Sequence, residues 1–147
     1  MKKVVLNYLV IAALIISAAF TSCGSMNTIQ KFLENPLVGV WEGSYLANSG
    51  ENGLTLNVYK DGANYKATFD FYNLPGKTNT REGKYLMNVT YDEAAKRYFL
   101  KGYEWIARPA SNYVFVDLDG TINGNVFSGN VRGSGAGANA TFRLVKK

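Results

Sequence analysis

The chain contains no histidine and only one cysteine. The missing imidazole removes Ser-His and Cys-His nucleophilic pairs, and the shortage of both residue types removes the common nitrogen and sulfur metal sites. Sixteen basic residues stand against 11 acidic ones, a net charge of +5, yet the basic residues are scattered singly rather than gathered into a run. A protein that tracks a phosphate backbone needs such an electrostatic stripe, so nucleic acid is not an expected partner.

What is present begins with a targeting pattern. Lys2 and Lys3 precede an apolar run at residues 4–20, interrupted by Asn7, Tyr8 and Ser17. A run of this length is close to the lower limit for crossing a bilayer, so a membrane-spanning anchor is the rival reading. The basic start, short apolar core and exit through small residues favour an export signal. Phe20-Thr21-Ser22-Cys23-Gly24 resembles the lipobox of bacterial lipoproteins, with Phe20 where leucine is usual. The resemblance implies cleavage before Cys23 and acylation of that cysteine by palmitate-type chains, several of which suffice for stable anchoring. It also accounts for an otherwise exposed lone thiol in an exported chain. The expected organisation is a signal peptide at 1–22, a lipid-anchored tether with a short helix at 23–36, and one domain at 37–147. Removal of Lys2 and Lys3 lowers the net charge from +5 to +3. Gly24-Ser25-Met26 carries no acidic cluster of the kind some surface-exported lipoproteins have, which favours the periplasmic face of the outer membrane.

Ile29, Phe32 and Leu33 share one helical face and Pro36 follows, so the pattern predicts a one- to two-turn helix over 28–35, with an unstructured linker as the alternative. From Val38 the period becomes two. Leu54, Leu56 and Val58 alternate with Thr55, Asn57 and Tyr59, and Tyr65, Ala67, Phe69 and Phe71 alternate with polar residues. This rhythm means one buried and one wet face, as in antiparallel strands. It continues through 83–91, 97–106, 112–122, 126–132 and 138–146, which with 38–45 makes eight strands.

Asp61-Gly62 and Asn123-Gly124 are hairpin signals, and 92–96 suits a short loop. No connection is long enough for a parallel crossover, so a meander is expected. Its connections fall alternately at two ends. Those at 46–53, 73–82, 107–111 and 133–137 are mostly longer and form a loop-rich mouth, while those at 60–64, 92–96 and 123–125 are tight. Eight strands with open edges invite aggregation, and pairing the last strand with the first removes both edges. The expected fold is therefore an all-β, eight-stranded antiparallel up-and-down barrel, with a β-sandwich as the alternative.

Gly39-Val40-Trp41 resembles the G-x-W signature of the lipocalin and calycin barrels, which implies that Arg143, near the chain end, lies across Trp41 in a cation–π contact. The inward alternation of Phe142 and Leu144 turns Arg143 outward, so that pairing needs twist at the rim. A second resemblance, to a recurring exported bacterial β-module of uncharacterised role, rests on several segments. These include Trp41-Glu42-Gly43-Ser44-Tyr45, Gly83-Lys84-Tyr85-Leu86-Met87 and Trp105-Ile106-Ala107-Arg108-Pro109. It implies a disulfide joining the positions held here by Ala47 and Asn139, neither of which is cysteine.

For chemistry, two carboxylates remain as a possible hydrolytic pair. Asp117 and Asp119 share one strand face, however, and read as a wet outer surface, with a calcium site as the alternative. The richer cluster is Trp105, Arg108 and Tyr113 at the fifth connection, where aromatics and a charged fork suit carboxylates, sugars or aromatic groups. Its rival is that Trp105 packs a rim and Arg108 pairs with a nearby acid. Tyr45, Tyr72 and Asn73 are expected to reach the same rim. No catalytic residue, metal or cofactor is expected. The functional expectation is non-enzymatic binding of a small apolar or mixed ligand, or of a protein, at the mouth. The alternative is a structural or inhibitory envelope module with a solid core that acts through its outer surface.

Overall fold

A computed structural model describes residues 35–147, of which Pro36–Lys147 form one compact unit. Cys23, the signal peptide, the tether and the expected helix at 28–35 lie outside the described residues, save for Asn35. Eight strands follow in order: β1 (Gly39–Ala47), β2 (Gly50–Asp61), β3 (Asn64–Tyr72), β4 (Gly83–Asp92), β5 (Arg97–Ala107), β6 (Asp117–Asn123), β7 (Val126–Arg132) and β8 (Thr141–Lys146). Each pairs antiparallel with its neighbours in sequence, and β1 pairs with β8 from Trp41↔Lys146 to Tyr45↔Phe142, so the barrel is closed. The sandwich alternative is thereby excluded.

The alternation of the sequence is realised as an inside and an outside. Trp41, Leu54, Leu56, Val58, Phe69, Met87, Leu100, Leu118, Phe127 and Leu144 are all at most 1% exposed and fill the lower barrel. Edge-to-face and stacked ring pairs join them, such as Trp41 on Phe127 (5.9 Å, 62°) and Phe69 on Tyr85 (4.7 Å, 15°). Gly43 and Gly129 allow neighbouring strands to approach closely. A Cβ at either would stand 2.1 Å from a carbonyl oxygen, that of Arg143 or Asp119 respectively.

At one end the turns are short. Gly62 and Gly124 hold φ of +61° and +60° as the first residues of two-residue loops, the place where a type II′ hairpin takes glycine. The chain also enters the barrel here. Leu37 is wholly buried, its carbonyl accepts the Trp41 indole N–H at 2.8 Å, and Lys146 Nζ donates to the Pro36 carbonyl at 2.8 Å. The same ammonium lies 5.2 Å from the Trp41 ring centroid. The cation on Trp41 is thus Lys146 and not Arg143. Arg143 pairs with Ser44 on the outer face and is exposed, because Phe142 and Leu144 claim the inward positions.

At the other end, two expectations are corrected. The first connection is a two-residue turn, Asn48-Ser49, and β2 already begins at Gly50. The polar residues at its start hid the strand: Asn52 is fully buried and donates to Ser49 Oγ and to the Gly50 carbonyl. Strand β6 begins at Asp117 instead of residue 112, which leaves 108–116 as a loop. Two register shifts in the β4–β5 ladder skip Ile106 and Tyr103, and both bulged residues are exposed. Bulges bend a strand and end its pairing. Accordingly β5 pairs with β6 only from Tyr98↔Gly120 to Leu100↔Leu118.

Candidate functional site

The mouth is the loop-rich end, and its shape follows from that interrupted seam. Above Leu100 the wall between β5 and β6 is completed by side chains rather than by a ladder. The Gly102 N–H donates to Asp117 Oδ1 at 2.9 Å, and Phe115 stacks on Trp105 at 4.8 Å and 23°. The Tyr85 hydroxyl, from inside, donates to the Val116 carbonyl at 2.8 Å. Beneath the three longer loops and the Asn48-Ser49 turn lies a half-open hollow of about 350 Å³. This is at the small end of the range for ligand pockets.

Phe71, Tyr85, Val116 and Tyr45 line its apolar part. Asn48, Ser49, Thr80, Asn112 and Ser134 supply polar side chains, with Tyr113 and Val114 beside them. Among the described residues, no Asp, Glu, Lys or Arg lines it. The loops around it are tied together. The Asn48 backbone N–H donates to the Gly135 carbonyl at 3.1 Å and its side chain to the Ser134 carbonyl at 3.1 Å. These bonds join the β1–β2 turn to the β7–β8 connection, close to Ala47 and Asn139. Asn79 donates to Ser49, Glu51 and Asn52, fastening the β3–β4 loop to the same turn.

Of the six residues expected at the mouth, Tyr45 and Tyr113 line the hollow. Trp105 supports it from the side, packed edge-on to Tyr85 at 5.1 Å. Arg108 presents no free fork. Its guanidinium lies over Trp105 at 5.7 Å and donates to the carbonyls of Ser111 and Tyr113, so it braces its own loop instead of pairing with an acid. Asn73 exchanges hydrogen bonds with the backbone of Thr80 and closes the β3–β4 loop. Tyr72 faces outward, because Phe71 takes the inward position, and its ring lies over Gly53. The lining residues not named as mouth residues from sequence include the apolar-faced Phe71, Tyr85, Val114 and Val116 and the polar Asn48, Ser49, Thr80, Asn112 and Ser134. The signal of the polar set was its place in the connections assigned to the loop-rich end, apart from Asn112, which was read as part of a strand.

The three phenols at the hollow differ in their partners. Tyr85 is bonded to Val116, and the Tyr113 oxygen accepts the Arg81 N–H at 2.9 Å. Tyr45 is 5% exposed and packs edge-on to Phe69 at 5.1 Å, but no protein group among the described residues hydrogen-bonds its hydroxyl. Burial, with a smaller contribution from neighbouring Tyr113, pushes the Tyr45 phenol well above its ordinary value. Burial does the same to Tyr85, tempered by its bond to Val116. Both stay neutral donors at physiological pH.

Of the two aspartates, Asp117 serves the wall of the mouth through Gly102, and neither lines the hollow. Asp119 is 7% exposed on the outer wall, where Arg97 Nε donates at 2.6 Å and Arg132 at 3.1 Å. Burial raises its carboxyl, but the two guanidinium hydrogen bonds outweigh this and leave it below its ordinary value. Asp119 is therefore neither wet nor free to ligate calcium. No group of three or more metal-ligating side chains converges among the described residues. No protein-family model matches the chain, and no curated protein or solved structure does.

Proposed function

We propose that the chain is a lipid-anchored bacterial envelope protein that binds a small molecule at the barrel mouth without transforming it. The observation that carries this reading is the hollow of about 350 Å³, with an aromatic floor and a neutral polar rim. Binding without catalysis fits a lining that offers phenols, amides and hydroxyls but no carboxylate, amine or imidazole for acid–base work at neutral pH. Attachment through acyl chains on Cys23 rests on the lipobox-like sequence, as does a periplasmic position at the outer membrane. The barrel's first strand starts at the tight-turn end, which leaves the mouth at the end opposite the tether's point of attachment.

Metabolic labelling with an alkynyl palmitate tests the anchor: label on the wild type and none on Cys23→Ala supports it, and an unlabelled wild type rejects it. Native mass spectrometry tests the mouth. A small-molecule adduct on the wild type that is lost in Val114→Trp, a substitution at the half-exposed rim, supports ligand binding. An adduct that survives in that variant places the ligand elsewhere. The buried side chains packed in the lower barrel favour a second reading, a structural module acting through its outer wall, and a wild type free of any adduct would support it.

A further inference from the structure

We propose that the mouth selects an uncharged molecule with a flat apolar body, oriented by an oxygen acceptor that takes the hydrogen bond of the Tyr45 hydroxyl. The inference rests on the reading of the mouth as a binding site and adds the class of ligand. Three observations carry it. First, Tyr45 is the one phenol of the three at the hollow whose hydroxyl has no partner among the described residues, although its side chain is largely buried and lines the space. Its oxygen is not fully enclosed and opens onto the hollow, where a ligand oxygen can take its hydrogen bond in place of solvent, a contact that phenylalanine could not make. Second, no described side chain of the lining is ionised at neutral pH, so a charged ligand would lose its hydration and find no counter-ion there. The nearby cation that could have served, Arg108, is turned to the carbonyls of Ser111 and Tyr113. Third, the floor is built of ring systems, including Phe71 stacked with Tyr113 at 6.0 Å and 18°, which suits a planar partner better than a branched one.

The described barrel has its own closed ladder and core and forms a compact unit by itself, so a chain starting at residue 23 and carrying Cys23→Ser keeps every contact described above. Two fluorescent probes test the proposal in that chain: 6-propionyl-2-dimethylaminonaphthalene, which is neutral, planar and ketone-bearing, and the anionic 1-anilinonaphthalene-8-sulfonate. The neutral ketone is expected to bind saturably with blue-shifted emission, and the sulfonate about tenfold or more weaker. Tyr45→Phe is expected to weaken the ketone about fivefold while leaving 2-dimethylaminonaphthalene, which lacks the carbonyl, unchanged, so that the hydroxyl and the carbonyl are coupled. Equal binding of both probes, or equal loss of ketone and ketone-free probe in Tyr45→Phe, overturns this inference and leaves the mouth as a binding site. If neither naphthalene probe binds, or if Val114→Trp binds them as well as the parent does, the mouth reading fails and the inference goes with it.

Discussion

Trp41 and Tyr45 lie on the same inward face of β1, four residues apart, and meet opposite fates. The Trp41 indole is wholly buried, donates to Leu37 and has the Lys146 ammonium over its ring, so every polar and apolar surface it offers is met by the protein. Tyr45, equally well packed against Phe69, keeps a hydroxyl that nothing in the barrel meets. The difference is one of closure. At Trp41 the segment at Pro36 meets the end of β8 at Lys146, and tight turns join the strands. At the end where Tyr45 lies, three connections are longer and the β5–β6 ladder stops above Leu100, although β1 itself stays paired on both sides. Close packing is therefore concentrated at one end of the tube, and the half-open hollow lies at the other.

Substitutions at the two ends should separate these roles. The largest effect is expected from Trp41→Ala, which empties the centre of the closed end and should cost about 4 kcal/mol in urea unfolding. A loss below about 1 kcal/mol would mean that the closed end does not hold the fold. Next comes Gly43→Ala, on the same strand between the two aromatics. The added methyl would stand 2.1 Å from the Arg143 carbonyl oxygen, so the β1–β8 seam must open, at about 2 kcal/mol. Amide exchange should speed up along that seam and not along β2–β3.

Asp119→Asn should cost about 1 kcal/mol at neutral pH, since the two guanidinium groups it holds are partly solvated. Its carboxyl lies lower in the folded chain than the ordinary 3.8, so its contribution is present above that value and disappears as pH falls through the folded pKa. The wild type and the variant should thus converge in stability in acid, and a gap that persists there would assign the effect to packing instead of charge. The smallest effect belongs to the mouth. Tyr45→Phe should change stability by no more than about 0.5 kcal/mol, because the lost hydroxyl has no partner to leave behind. A loss comparable to that of Trp41→Ala would erase the distinction between the ends.

Much of this architecture was legible in residue order. The alternation at 54–58 and 65–71 named the inward residues that the barrel buries, and Asp61-Gly62 and Asn123-Gly124 marked two of its tight turns. The aggregation risk of open edges argued for closure. The mouth was legible as an end but not as a surface. Tyr45 and Tyr113 line the hollow because both stand beside connections at that end, whereas nothing local says that the fork of Arg108 will turn to Ser111 and Tyr113. Strand β2 was read as starting late because Gly50, Glu51 and Asn52 look like loop, and Asn52 becomes a strand residue only when Ser49, Gly50 and Asn79 satisfy its amide.

Sequence alone determined which face of each strand is buried, because a period of two is a local property of an extended chain. It also determined the meander, because short connections permit no other path. Only the tertiary structure decided that the β4–β5 ladder would bulge at Tyr103 and Ile106, that β5 and β6 would part above Leu100, and that the Tyr45 hydroxyl would face the hollow. Those outcomes depend on how eight twisted strands share the circumference of one tube. A mismatch in that fit is relieved wherever pairing is cheapest to break, and no single strand records the place.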